Sequence, residues 1–225
     1  MRNLFSMDSG IFRFLTRLAD LMILNILFIV CCIPIVTIGA SVTSLYYVTL
    51  KMAVNEEGYI AKAFLKSFRQ NFRQATVIWL ILLVLGCVFG IDFYILYYSE
   101  GSFFTVLRFC IGATALVYLM VLLYVFPTLA RFYNSVKNTM RNALIMALAD
   151  LPRTLLILVI TAGSILITFL NGYTLWYGLL VWVLFGFSLV AYANSFFLNK
   201  VFAKYTPEEP SEDEAKTAET IDEES

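Results

Sequence analysis

The stretch CCIPIVTIGASVTSLYY, residues 31–47, sits inside a long apolar run yet carries Pro34 and, five residues later, Gly39. Proline removes a backbone donor and clashes with the preceding helical turn, and glycine is the other strong punctuator of helices. A hydrophobic segment broken in its middle reads as a hairpin that goes into a membrane and comes back. Residues 18–51 are too few for two spans of about 20 residues plus a loop. The hairpin therefore either just crosses, with two short or tilted helices, or re-enters without crossing. Non-helical backbone at membrane depth must be buried in protein or face water. Thr37, Ser41, Thr43 and Ser44 are placed to satisfy the freed backbone groups. Pro34, Thr37 and Gly39 are the expected bend residues. The bend is either a tight turn or a broken helix lining a site, as transporters use.

The rest of the chain supports a membrane reading. Of its 225 residues 60% are hydrophobic and 14% charged, and the mean hydropathy is +0.81. Soluble domains carry about a quarter charged residues. Residues 75–98 hold one charge, Asp92, and residues 103–126 hold one, Arg108; residues 154–170 and 173–198 hold none. Each run is long enough to cross a bilayer as a helix. None alternates in polarity as a barrel strand does. The expected fold is an all-α polytopic bundle of six spanning or partly spanning helices, paired in three outward hairpins.

Lys and Arg are distributed unevenly. The N-terminal segment, residues 51–73, residues 131–153 and the segment after the last span carry nearly all of them, while the connections at 99–102 and 171–172 carry none. By the positive-inside rule both termini are cytoplasmic and the short connections face outward. Tyr94, Tyr97, Tyr98, Tyr173, Trp176 and Tyr177 cluster near those connections, as an outer aromatic belt requires. The residues before the first span could pass for a signal peptide, but Ile38-Gly39-Ala40 has a bulky first position, so cleavage is not expected.

The formal net charge of zero hides a second asymmetry. The tail after Thr206 holds nine acidic residues against Lys216 alone, a net of −8, and the rest of the chain carries +8. Residues 1–200 read as the membrane domain. Residues 201–225 read as an acidic, disordered cytoplasmic tail.

Three segments look alike: Arg17-Leu18-Ala19-Asp20-Leu21, Arg69-Gln70-Asn71-Phe72 and Leu148-Ala149-Asp150-Leu151 each precede an apolar run. They suggest three units, at roughly residues 10–51, 58–127 and 135–198, of a cytoplasmic elbow helix plus an outward hairpin. The Asp or Asn is placed to cap the spanning helix. In the clearest elbow, residues 59–73, Ile60, Phe64, Phe68 and Phe72 share one helical face and Lys62, Lys66, Arg69 and Arg73 the other. That pattern predicts an interfacial helix with its aromatics in the acyl boundary. Its basic face is either a topological anchor or a docking surface for a partner protein or anionic lipid. Residues 136–148 repeat the design more weakly.

Asp92 and Arg108 lie eight residues either side of Glu100. In a helical hairpin they fall at one depth, and unpaired intramembrane charges are costly, so an ion pair is expected. It serves either as a hairpin staple or as a substrate or proton site. Asn25 in the first apolar run and Asn194 in the last are expected to hydrogen-bond to neighbouring helices. Gly86 and Gly90 have the small-xxx-small spacing.

The chain has no His, and Cys31, Cys32, Cys87 and Cys110 all lie in apolar runs. The usual acid–base and metal constellations are missing, as is a phosphate-cradling Gly-Lys loop. An enzyme is not expected, and no cofactor, metal or nucleic-acid partner is. Membrane lipid is the first expected partner, and a homo-oligomer is open.

The segments IPIVTIGAS and SLYYV, within residues 33–48, and FLKSFRQNFRQA, residues 64–75, resemble the YesL family of bacterial membrane proteins of unknown function. With the hairpin layout the resemblance covers about residues 1–200. It implies a plasma-membrane setting tied to carbohydrate uptake in Gram-positive-type bacteria, with ABC transporter permease subunits as partners. It implies no catalytic residues. Two functions follow as expectations: a non-enzymatic accessory protein of carbohydrate uptake, or a small-molecule permease or channel in its own right.

Overall fold

The computed structural model describes residues 10–56 and 58–206. The expected acidic tail beyond Thr206 lies outside the described residues. The chain forms α1 (Gly10–Cys32), α2 (Ile38–Met52), α3 (Ile60–Tyr97), α4 (Ser102–Arg131), α5 (Val136–Ala149), α6 (Leu151–Thr168), α7 (Gly172–Val181) and α8 (Phe187–Phe202). A 3-10 turn, Ile35–Thr37, precedes α2; a π turn, Trp182–Gly186, joins α7 to α8; a 3-10 turn, Ala203–Tyr205, follows α8. The ordered membrane domain therefore runs past residue 200. Six helical segments are long and apolar enough to cross a membrane, with α7, the π turn and α8 forming the last. They pair as three hairpins, and no strand occurs among the described residues.

The first hairpin is longer than residues 18–51 alone allow, because α1 begins at Gly10. Both arms meet the length and hydropathy of a span. At α2 the bundle has its centre: this helix packs against α1, α3, α4 and α8 and has eleven buried residues among its fifteen. A helix apolar or small all round is one that is buried on all sides. Gly39, Ala40, Ser41, Thr43 and Ser44 present little bulk, so neighbouring backbones come close. The buried hydroxyls bond within the helix, Thr43 Oγ1 to the Gly39 carbonyl (2.9 Å) and Ser44 Oγ to the Ala40 carbonyl (2.8 Å).

Packing is uneven along the bundle. Buried side chains on α3 stop at Leu82 apart from Leu96, and those on α4 run only from Tyr124 to Leu129. The far halves of α3 and α4 form a two-helix finger, held by the Tyr118 hydroxyl donating to the Leu82 carbonyl (2.9 Å) and by the Phe89 and Tyr118 rings. The finger turns at Gly101, whose φ of +119° is one that L side chains rarely adopt.

The elbow expectation needs correction in two of three units. Residues 59–73 are not a separate interfacial helix; they are the first turns of α3, which runs unbroken for 38 residues. No Pro or Gly lies between Ile60 and Leu85, so nothing stops the helix. Its length, about 57 Å at about 1.5 Å per residue, far exceeds a hydrocarbon core of about 30 Å. The first turns thus continue the span beyond the membrane. Phe64 is buried in the protein core, stacked with Phe68, instead of lying in lipid. Asp20 and Asn71 sit inside α1 and α3 and not at the start of either helix; Asn71 Nδ2 donates to the Ser67 carbonyl (3.1 Å). Only the third unit has a true elbow, α5. Pro152, in the first turn of α6, forces the break, and Asp150 stands at the N-cap position, but its side chain makes no capping hydrogen bond.

Candidate functional site: an intramembrane cavity and a basic end

Of the residues expected at the bend, Pro34 and Thr37 lie in the break between α1 and α2 and Gly39 in the first turn of α2; the bend is closed. Thr37 Oγ1 donates to the carbonyls of Cys31 (2.6 Å) and Pro34 (2.7 Å), satisfying groups freed where α1 ends. The Trp79 indole of α3 donates to the Ile35 carbonyl (2.8 Å). A Cβ on Gly39 would stand 2.5 Å from the Ala75 carbonyl oxygen and 2.6 Å from Trp79 Cβ. Gly39 is thus what lets α2 lie against α3. Ile33, Ile35 and Val36 point outward and are exposed. The geometry favours the tight-turn reading: the bend braces α3.

The last span is broken differently. At Trp182–Gly186 the chain makes a π turn, which leaves carbonyls without their usual helical partners. Asn25, fully buried on α1, supplies them: Nδ2 donates to the carbonyls of Trp182 (3.0 Å) and Val183 (2.8 Å), and Oδ1 accepts from the Ser188 backbone N–H (3.1 Å). Ser188 Oγ donates back to the Leu21 carbonyl (2.8 Å). The expected cross-helix role of Asn25 is realised, and its target is backbone. Asn194 likewise donates from Nδ2 to Thr161 Oγ1 of α6 (2.9 Å). Ser195 Oγ donates to Thr49 Oγ1 of α2 (2.9 Å), and Asn199 Nδ2 to the Leu50 carbonyl (2.9 Å).

Beside the π turn lies a cavity of about 720 Å³ between α1, α2, α3, α4, α6 and the last span. Phe28, Tyr46, Trp79, Thr161, Thr168 and Trp182 are among its walls, and no charged residue lines it. Its polar atoms are largely committed: the Trp182 indole donates to Thr168 Oγ1 (2.8 Å), which donates to the Ser164 carbonyl (2.9 Å). Such a space suits an apolar group better than a hydrated solute. The sequence held one weak signal for it, Gly186, where a Cβ would meet the Trp182 ring at 2.9 Å.

Asp92 and Arg108 do not pair. Arg108 of α4 donates to backbone at the end of α3, from Nε (3.1 Å) and Nη2 (2.7 Å) to the Leu96 carbonyl and from Nη2 to the Ser99 carbonyl. The reason lies in helix geometry. Side chains lean toward the N-terminus of their own helix, and the two helices are antiparallel. Arg108 therefore reaches toward the connection and Asp92 leans away from it, although their Cα atoms share a depth. The carbonyls that end α3 are natural acceptors for a cation.

All other Lys and Arg among the described residues gather at the opposite end of the bundle. Lys62, Lys66, Arg69 and Arg73 are all exposed there, on the side of α3 away from Phe64 and Ser67. Arg17 Nη2 donates to Asn55 Oδ1 (2.6 Å) in the α2–α3 connection. Gln74 Nε2 of α3 donates to the Asn134 carbonyl, which ties down the α4–α5 connection. Asp150 is buried between two cations: Lys204 Nζ donates to its Oδ2 (2.7 Å), and Arg153 Nη1 to the same oxygen. The Lys204 hydrogen bond is the main influence holding the Asp150 carboxyl below the usual range, against the opposing effect of burial and with help from Arg153. Thr154 Oγ1 donates to the Ala147 carbonyl (2.7 Å) and lies 2.9 Å from the buried Tyr124 hydroxyl of α4, so α4, α5, α6 and the turn after α8 meet here. The sequence signalled Asp150 as a cap; its partner Lys204, remote in sequence, was not signalled.

Residues 21–93 match the family model described as a protein of unknown function, DUF624. The match covers about a third of the chain: the second half of α1, the bend, α2 and most of α3. It supports an uncharacterised family. No curated protein and no solved structure matches the chain.

Proposed function

We propose that this chain is a non-enzymatic accessory protein of the bacterial plasma membrane, of the YesL type, that serves a carbohydrate ABC transporter. Its termini and basic end face the cytoplasm, in keeping with the positive-inside rule. The exposed face of Lys62, Lys66, Arg69 and Arg73, standing beyond the hydrocarbon on the extended first turns of α3, is the surface offered to permease subunits.

The observation that carries this reading is the chemistry of the interior. A sugar or ion path needs polar or charged groups at mid-depth. Here the large intramembrane cavity has no charged lining residue, the Pro34 bend is packed onto α3, and Arg108 is spent on backbone carbonyls. These features support a braced scaffold over a permease.

Co-purification from native membranes tests it. The chain is tagged, cross-linked lightly, extracted in mild detergent, and its companions identified by mass spectrometry. A stoichiometric sugar-permease subunit, lost when the four cations are changed together to Gln, is the expected result. Recovery of the chain alone or as a homo-oligomer, with sugar flux in vesicles containing only this protein, would establish the permease reading instead.

A further inference from the structure

A second pocket, of about 360 Å³, opens at the basic end between the last turns of α2, the flank of α3 and the end of α4. Tyr47, Gln70, Asn71, Arg131 and Tyr133 line it, together with apolar backbone-bearing residues at the end of α4, and no Asp or Glu does. Lys51 does not line it, but its Nζ lies 4.7 Å from the centre of the ring of Tyr47, which does. Asn71 Nδ2 is bonded to Ser67. The Arg131 guanidinium, the Lys51 ammonium, the Gln70 amide and the Tyr47 hydroxyl have no protein hydrogen-bond or ion-pair partner among the described residues.

We infer that this pocket binds the phosphate of an anionic phospholipid headgroup. Its chemistry is lopsided: the Arg131 cation and two further donor-bearing side chains line it with no carboxylate to neutralise them, and a second cation, Lys51, lies over the ring of the lining Tyr47. A phosphate oxygen accepts from guanidinium and ammonium at once, by charge-assisted hydrogen bonds stronger than neutral ones. Position selects a lipid as the source. The pocket lies where the buried end of α4, Tyr124 to Leu129, gives way to exposed Arg131 and Tyr133, at the level where a spanning helix leaves the hydrocarbon. Basic pockets between spanning helices at that level hold lipid headgroups. The Tyr133 ring is fully exposed beside it, as interfacial aromatics are. The site borders the proposed partner surface: Asn71 lies on the side of α3 opposite Lys62, Lys66, Arg69 and Arg73, whereas Gln70 stands at the edge of that basic face, one turn from Lys66 and Arg73.

The test uses the full chain in mild detergent, with thermal unfolding followed by Trp fluorescence while phosphatidylglycerol, phosphatidylcholine or inorganic phosphate is added. Phosphatidylglycerol is expected to raise the unfolding temperature saturably. The pair Arg131→Gln and Lys51→Gln should weaken that effect ten-fold or more. Gln70→Glu, which places an acid in the pocket, should do the same while keeping the lipid-free unfolding temperature of the parent. Lys62→Gln, Lys66→Gln, Arg69→Gln and Arg73→Gln together should leave it within two-fold. A saturable rise with inorganic phosphate at equal concentration would make this a free-anion site. The lipid assignment falls equally if phosphatidylcholine does as well, if phosphatidylglycerol has no saturable effect, or if the four-fold variant loses as much as the pocket variants.

Discussion

Asn25 and Trp182, 157 positions apart, are joined by a 3.0 Å hydrogen bond from the Asn25 amide to the Trp182 carbonyl, in the middle of two spanning helices. With the Val183 carbonyl and the Ser188 N–H, Asn25 makes three bonds to the backbone of one π turn. Asn25→Leu leaves those groups without partners in an apolar setting. Interhelical hydrogen bonds in membranes are worth about 0.6 to 1.7 kcal/mol each, so a loss of about 1–3 kcal/mol is expected, read by detergent-induced unfolding. Deleting one residue within 182–186 removes the extra residue of the π turn. In that background Asn25→Leu should cost much less. An equal cost in both would mean that Asn25 does not serve the turn.

Gly39 carries the closest helix approach in the first hairpin. A methyl there would meet backbone oxygen of Ala75 and Cβ of Trp79, neither of which is the free end of a flexible chain. Gly39→Ala should destabilise by roughly 1–3 kcal/mol and loosen the α2–α3 contact, since overpacking forces backbone shifts. Gly90→Ala is the control: nothing lies within 4 Å of a Cβ there, so that half of the Gly86–Gly90 spacing is unused. Its unfolding midpoint should match the parent or rise slightly, because alanine favours helix.

The three hairpins and the bend were legible because Pro, Gly and charge punctuate apolar runs. Pro152 even marks where α5 must separate from α6. The elbow of α3 was misread for a related reason: the Phe and Lys/Arg faces of residues 60–73 are real, but the same amphipathic pattern serves a helix packed on protein as well as one lying on lipid. The decision is tertiary, made by the burial of Phe64. The π turn in WVLFG has no polar residue to betray it, and its partner Asn25 lies in another hairpin. Depth symmetry placed Asp92 opposite Arg108, whereas the direction of side chains on antiparallel helices separates them.

That separation has a measurable consequence. Arg108→Leu should destabilise the finger, since it strips charge-assisted bonds from the Leu96 and Ser99 carbonyls, whereas Asp92→Asn should be nearly neutral. In a double-mutant cycle the two sites should add within about 0.5 kcal/mol, as uncoupled sites do. A favourable coupling above about 1 kcal/mol would restore the ion pair.

Asp150 should make stability depend on acid. Its carboxyl is held below the ordinary value of 3.8, chiefly by Lys204, so the folded state releases this proton more readily than the unfolded state. The unfolded chain then binds more protons across the interval between the two values, and stability rises with pH there. The contribution is whole above the ordinary value and is lost as pH falls through the depressed one. The Lys204 side chain is 55% exposed, so solvent screens the pair and about 1 kcal/mol is a fitting size. Asp150→Asn should lower the stability at pH 7 by that amount and flatten its decline as pH falls below about 4. Lys204→Gln should flatten it in part, because Arg153 still holds the same oxygen. If the parent and Asp150→Asn lose stability with the same slope over that range, the tie between the α5–α6 junction and the end of α8 is not what acid breaks.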